Sequence, residues 1–170
     1  MEPVFSEPTE QTSPVLISQV ELKNQQKANL CIAKNLSMST PETRKQLAKG
    51  MAKVNPDSQP KKIVEQMANG SYDLYYIEQE GKMIGYATIF PEKDTLTKRC
   101  YLNKIYTRED KTQNGVATKI IEQVMNDFDE ISLIDTIDEG QESKAGMVNT
   151  YSRLGFVTED GVGYVWKKPV

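Results

Sequence analysis

Between Arg99 and Ile137 the chain spells a strand, a helix and a second strand, and no other run restricts the fold as much. Arg99 to Thr107 (RCYLNKIYT) has the aromatic and β-branched content of a strand. From Gly115 to Phe128 the residues Val116, Ile120, Val124 and Phe128 recur at steps of four, with Ala117 and Ile121 beside them. That is the apolar stripe of an amphipathic helix. Ile131 to Ile137 (ISLIDTI) is apolar again. Two strands joined through one helix lie parallel with a right-handed crossover. The chain must therefore build a sheet with at least one helix packed on a face.

The segments around this unit extend the same sheet. Val15 to Leu22 reads as a first strand, and Asn24 to Leu36 as an amphipathic helix with Leu30, Ile32, Ala33 and Leu36 interspersed. Thr40 followed by Pro41 marks a capped helix start, and Glu42 to Lys53 carries Leu47, Ala48 and Met51 on one face. Asn55-Pro56-Asp57 ends that helix. Pro60 opens another with Ile63, Val64 and Met67, and Asn69-Gly70 offers a left-handed stop. Tyr72 to Glu78, a Glu80-Gly81-Lys82 turn and Met83 to Phe90 form a hairpin, and the Arg99–Thr107 strand completes a three-strand meander. After Ile137 come an acidic loop, a short helix from Ala145 to Leu154 stopped by Gly155, and a last hairpin around Asp160-Gly161. The expected fold is α/β: a mixed, mostly antiparallel sheet with helices on both faces. Residues 1–14, with three prolines and little apolar surface, are expected to be a disordered arm before a single domain spanning 15–170.

Composition removes several functions. The 170 residues include no histidine. That excludes a histidine base, a Ser–His or Cys–His dyad and the usual zinc sites, so no metal is expected. The two cysteines, Cys31 and Cys100, lie far apart in apolar stretches and read as buried free thiols. A net charge of −3 lacks the basic excess that nucleic-acid binding needs. An acidic N-terminus without a following apolar run is unlike a signal peptide, and no stretch has the length and apolarity of a membrane span. A cytoplasmic location with no nucleic-acid or membrane partner follows as the expectation. The late hairpin is a candidate surface for a homodimer.

The loop from Arg108 to Asn114 and the glycine that opens the next helix are the chemically suggestive segment. A helix N-terminus presents unpaired backbone N–H groups and a positive dipole end, which suit phosphate. Gly115 permits close approach, Ala117 keeps the first turn narrow, and Lys111 and Lys119 add positive charge nearby. By itself the pattern also fits an ordinary turn before an amphipathic helix. Its setting resembles motif A of the GNAT superfamily of acetyl-CoA-dependent N-acetyltransferases. Ile105-Tyr106-Thr107 matches the family's strand end, and Gly115-Val116-Ala117 sits at the family's spacing from it. Tyr151-Ser152-Arg153-Leu154-Gly155-Phe156 is similar to the family's tyrosine, glycine-phenylalanine ending of the next helix. The likeness covers residues from about Tyr72 to Lys168.

The resemblance implies acetyl-CoA as co-substrate, held by the strand end Ile105, Tyr106 and Thr107 and by the loop and first turn at Thr112, Gln113, Asn114, Gly115, Val116, Ala117 and Thr118. Thr112 and Gln113 stand where the family usually has an arginine or glutamine and a glycine, and Lys144 where it often has an asparagine. The resemblance also implies direct attack by a primary amine in a ternary complex, with Tyr151 protonating the departing thiolate. Read without the family, Tyr151 is equally an aromatic core residue ahead of a helix stop. Some family members carry a glutamate base where this chain has Tyr101. Asp135, which interrupts an apolar strand, is a weak base candidate and also reads as a carboxylate at a strand end; Glu78, Glu80 and a water chain are the other possibilities. Tyr72, Tyr75, Tyr76 and Tyr86 are candidates to line an amine cleft, and otherwise are good strand formers. The acidic Asp138, Glu139 and Glu142 suit a cationic acceptor or a solvated loop. The acceptor is expected to be a small-molecule amine. The alternatives are a protein lysine or N-terminus, and a catalytically degenerate binding module of the same fold.

Overall fold

A computed structural model describes residues 12–93, 96–111, 115–134 and 150–169. Among the described residues eight strands form one sheet: β1 (Val15–Glu21), β2 (Lys27–Ala33), β3 (Asp73–Gln79), β4 (Lys82–Pro91), β5 (Arg99–Thr107), β6 (Glu130–Ile134), β7 (Val157–Thr158) and β8 (Gly163–Lys167). The spatial order is β1-β2-β3-β4-β5-β6-β8-β7. Neighbours are antiparallel except β5 and β6, which run parallel as the strand–helix–strand reading requires. The helices are α1 (Pro41–Val54), α2 (Pro60–Asn69) and α3 (Val116–Asp127), and the chain is helical again at 150–153.

Alternation along the strands sends successive side chains to opposite faces and so divides the interior. Leu30, Ile32, Tyr75 and Ile77 pack with Val116, Ile120, Ile121 and Val124 of α3. Cys31, Ala33, Leu74 and Tyr76 pack with Leu47, Met51, Ile63 and Met67 of α1 and α2. Helices therefore cover both faces. No helix among the described residues is long and apolar enough to cross a membrane.

Two local readings are corrected. The helix expected over Asn24–Leu36 is instead β2, followed by a single 3-10 turn at Leu36–Met38. β2 is buried on both faces, so its run of Leu30, Cys31, Ile32 and Ala33 has no polar alternation and mimics a helical stripe. Gly70 does not stop α2 in the left-handed region. Its φ is −114°, its N–H closes the last turn on Gln66, and a Cβ there would lie 3.1 Å from the Gln66 carbonyl oxygen. Close approach, not handedness, fits this site to glycine.

The cap of α1 is as expected: the Thr40 hydroxyl accepts from the Thr43 N–H at 3.1 Å, with Pro41 at the first helical position. Thr12 makes a parallel bridge to Ser39, and its N–H donates to the Met38 carbonyl at 3.2 Å. Cys31 and Cys100 are buried free thiols, one in each core.

Candidate functional site

The end of β5 and the start of α3 converge on Gly85 of β4. Gly85 pairs with Thr107. A Cβ at Gly85 would lie 2.4 Å from Val116 Cγ1, 3.2 Å from the Tyr106 carbonyl oxygen and 3.7 Å from Thr107 Oγ1. The missing side chain thus lets the first turn of α3 sit directly on the sheet. β5 leaves the sheet through Arg108, whose N–H donates to the Ile84 carbonyl at 2.8 Å, and a 3-10 turn covers Glu109–Lys111. The Arg108 guanidinium forks onto Asp110 at 2.6 and 2.8 Å. The fork holds the Asp110 carboxyl below its usual range and raises Arg108. Thr112, Gln113 and Asn114 lie outside the described residues.

Gly115 begins α3 in the left-handed region at φ 86°, which only glycine adopts without strain. Among the described residues no side chain caps this end, and no acidic residue stands in the first turn. The first-turn amides of Val116, Ala117 and Thr118 have no partners within their own helix. An anion held there meets the positive dipole end and no carboxylate of the first turn.

Beside this turn the sheet opens. Parallel pairing of β5 with β6 runs from Arg99↔Glu130 to Leu102↔Leu133. On the other edge the β4–β5 register shifts between Thr88 and Ile89, leaving Asn103 as an extra residue between Leu102 and Lys104. Such a bulge bends its strand. Beyond Leu102 the edge of β5 that faced β6 is therefore without a described strand partner. On this stretch Ile105 packs toward the α3-side core, whereas the Tyr106 ring turns to the other face, 5.5 Å from the ring of Tyr86.

Tyr151 is 4% exposed and belongs to the same core cluster as Val116. Its ring lies 5.6 Å from those of Phe156 and Tyr164. Gly155 follows at φ 100°, in the left-handed region, and stops the helix as expected. Asp135 and the acidic Asp138, Glu139 and Glu142 lie outside the described residues.

On the opposite face a cleft of about 700 Å³ opens between α1, α2, β4 and β5. Its lining includes Tyr72, Tyr86 and Phe90, the amides of Asn55, Gln59, Gln66, Asn69 and Asn103, and the charged Asp57, Lys62 and Lys104. A cavity of this size suits a small ligand. Of the four tyrosines named from the sequence, Tyr72 and Tyr86 line it. Tyr75 turns to the α3 side, where its hydroxyl donates to Asp127 at 2.7 Å, and Tyr76 is buried in the other core beside Cys31. Burial pushes Tyr72 up to about 12 and raises Tyr86 further, so both are neutral phenols at physiological pH. Glu78 and Glu80 are not among the lining residues; Asp57 is, and sequence reading saw it only as part of a helix-ending turn. Asp57 is the one carboxylate in the lining among the described residues.

A glycine cradle at an uncapped helix start, next to an opened strand edge, fits the pyrophosphate and thioester arm of a coenzyme A thioester. Known proteins share this fold. An acetyltransferase of Thermus thermophilus superposes with a TM-score of 0.58 at 16% identity, covering 81% of this chain and 96% of its own. The ribosomal-protein-S18-alanine N-acetyltransferase of Escherichia coli gives 0.56 at 14% identity, with 83% and 95% covered. NAA60 of Arabidopsis thaliana, in complex with a bisubstrate analogue, gives 0.54 at 14%, with 82% and 98% covered. At these identities the likeness is one of fold. No curated protein matches the chain in sequence. The acetyltransferase (GNAT) domain family is nevertheless matched from residue 40 to residue 165, across both helical layers and the opened strand pair, and the chain belongs to that family.

Proposed function

We propose that the protein transfers the acetyl group of acetyl-CoA to the primary amine of a small molecule, by direct attack in a ternary complex. One observation carries the reading: Asn103 and Lys104, the first residues beyond the last β5–β6 pair, line the 700 Å³ cleft. A thioester laid along the edge of β5 beyond Leu102 would thus reach the wall of a cavity sized for a small amine.

When bound, acetyl-CoA supplies the activated acetyl group. The first-turn amides of Val116, Ala117 and Thr118 hold its pyrophosphate. The backbone of β5 beyond Asn103 positions and polarises the carbonyl. Tyr151 delivers a proton to the departing sulfur, a transfer between groups of comparable unperturbed acidity. On the other side Tyr72 and Tyr86 offer aromatic faces to an ammonium and Asp57 offers it a countercharge. Water or Asp135 takes the amine proton. Lys62 and Lys104 oppose a polycation and favour an amine that also carries a carboxylate or other hydrogen-bonding group. A protein N-terminus is the second acceptor class, since the E. coli neighbour is named for a ribosomal-protein alanine.

Titration with acetyl-CoA should raise the thermal midpoint by mass action, and Gly115→Glu should abolish the rise. A panel of polyamines, amino sugars, amino acids and peptides should then yield turnover with an amino acid or amino sugar. Absence of any shift in the wild type sinks the acetyltransferase reading, and turnover confined to peptides transfers it to a protein acceptor. With the acceptor in hand, Tyr151→Phe should lower kcat about 10- to 100-fold without weakening acetyl-CoA binding; unchanged turnover removes Tyr151 from the acid role.

A further inference from the structure

The hairpin that joins β1 to β2 reaches across to the phosphate cradle. A Cβ placed on Gly115 would meet the side chain of Lys23 at 3.4 Å (Cγ), 3.8 Å (Cε) and 4.0 Å (Cδ). The aliphatic stem of Lys23 therefore runs over the glycine that opens α3. Nothing in the sequence pattern joins these two positions.

The tip that carries Lys23 is fixed. Leu22 beside it is 3% exposed within the α3-side core. Its N–H donates to the Gln26 carbonyl at 2.8 Å, and the Gln25 N–H donates to the Leu22 carbonyl at 2.9 Å. The Gln79 amide of β3 holds Gln26 at 3.1 Å. Lys23 itself is exposed and makes no ion pair among the described residues. By contrast Lys119, a cation expected to serve the phosphate, lies 4.0 Å from Glu122. Thr112 places no cation at the loop position where relatives usually carry one or a glutamine. An anion seated on the α3 amides would lie beside the Lys23 stem, with the ammonium able to reach it by rotation about side-chain bonds.

We infer that Lys23 is a phosphate-binding residue of the acetyl-CoA site, contacting the pyrophosphate from the β1–β2 hairpin and supplying a positive charge from outside the loop, where position 112 is a threonine. The inference rests on the acetyl-CoA reading above. The partner chemistry is a dianionic diphosphate diester on a helix N-terminus, for which an ammonium is a natural third contact.

The test is calorimetric titration of the full chain with CoA and with 3′-dephospho-CoA at low and moderate salt. Lys23→Met keeps the stem over Gly115 and removes the charge; Lys23→Arg keeps the charge. The Met variant should bind both ligands about 5- to 10-fold more weakly, with a shallower salt dependence, and the Arg variant within about twofold of wild type. The midpoint of the unliganded protein should not move. Met-variant affinities within twofold of wild type overturn the role of Lys23 and leave the acetyl-CoA site standing. A loss seen with CoA but not with 3′-dephospho-CoA overturns the pyrophosphate assignment, because the contact is then to the 3′-phosphate. Failure of the wild type to bind either ligand overturns the acetyl-CoA reading itself, and the inference with it.

Discussion

At Gly85 one missing methyl group decides where α3 begins. The 2.4 Å approach of Val116 Cγ1 to the Cβ position is far inside van der Waals contact. Val116 is β-branched, 1% exposed and fixed in the first helical turn, so its methyl has no free rotamer to escape into. Gly85→Ala must push the helix start away from β4. The expected cost is about 1–3 kcal/mol of stability, with weaker acetyl-CoA binding, because the displaced turn is the proposed phosphate cradle. Val116→Ala removes the offending methyl, so Gly85→Ala/Val116→Ala should recover part of both losses relative to Gly85→Ala alone. A Gly85→Ala protein with wild-type midpoint and affinity would show that this contact does not position the cradle. Gly115 is the complementary case. Its surroundings leave room for a methyl, but its φ of 86° makes any L side chain strained.

Elements differ in how openly the sequence states them. α1, α2, α3, β4 and β5 are plain because each carries its own local signal: a cap, a proline start, a stripe or a turn. β2 is hidden because burial on both faces erases the alternation that marks a strand. The strand end Ile105-Tyr106-Thr107 and the helix start at Gly115-Val116-Ala117, proposed to hold phosphate, were legible as a strand and a helix start. The lining of the 700 Å³ cleft was only half legible. Tyr75 and Tyr76 are neighbours on one strand and must face opposite ways, so four tyrosines never share a wall. Asn103 and Gly85 depend on register and on a contact between elements, which no local pattern encodes. The separation of the two faces gives a test at this scale. Thr40→Ala removes the cap of α1 and should cost about 1 kcal/mol of stability. Because α1 covers the cleft side and the phosphate turn sits against the other face, acetyl-CoA affinity should not change. A loss of affinity equal to that of Gly85→Ala would mean that the two layers are mechanically joined.

Across the whole molecule the sheet is a wall between two cores, and each core holds one thiol. Cys100 lies with α3, where burial pushes it up to about 12; Cys31 lies with α1 and α2 and is also raised by burial. On opposite faces of one sheet they cannot meet in the folded state. At pH 8 the thiolate of Cys100 is scarce and both sulfurs are shielded, so N-ethylmaleimide should react with neither until the structure opens. Both cores share β2, β3, β4 and β5, and stripping the helices from one face would expose apolar strands to water. The two thiols should therefore be labelled at one common rate, set by a single cooperative opening. Acetyl-CoA, by stabilising the closed state, should slow both rates equally. Mass spectrometry of labelled peptides distinguishes this from its opposite. If Cys31 is labelled faster than Cys100, and the ligand protects Cys100 alone, α1 and α2 lift from the sheet as a separate unit. The 700 Å³ cleft would then open without disturbing the start of α3.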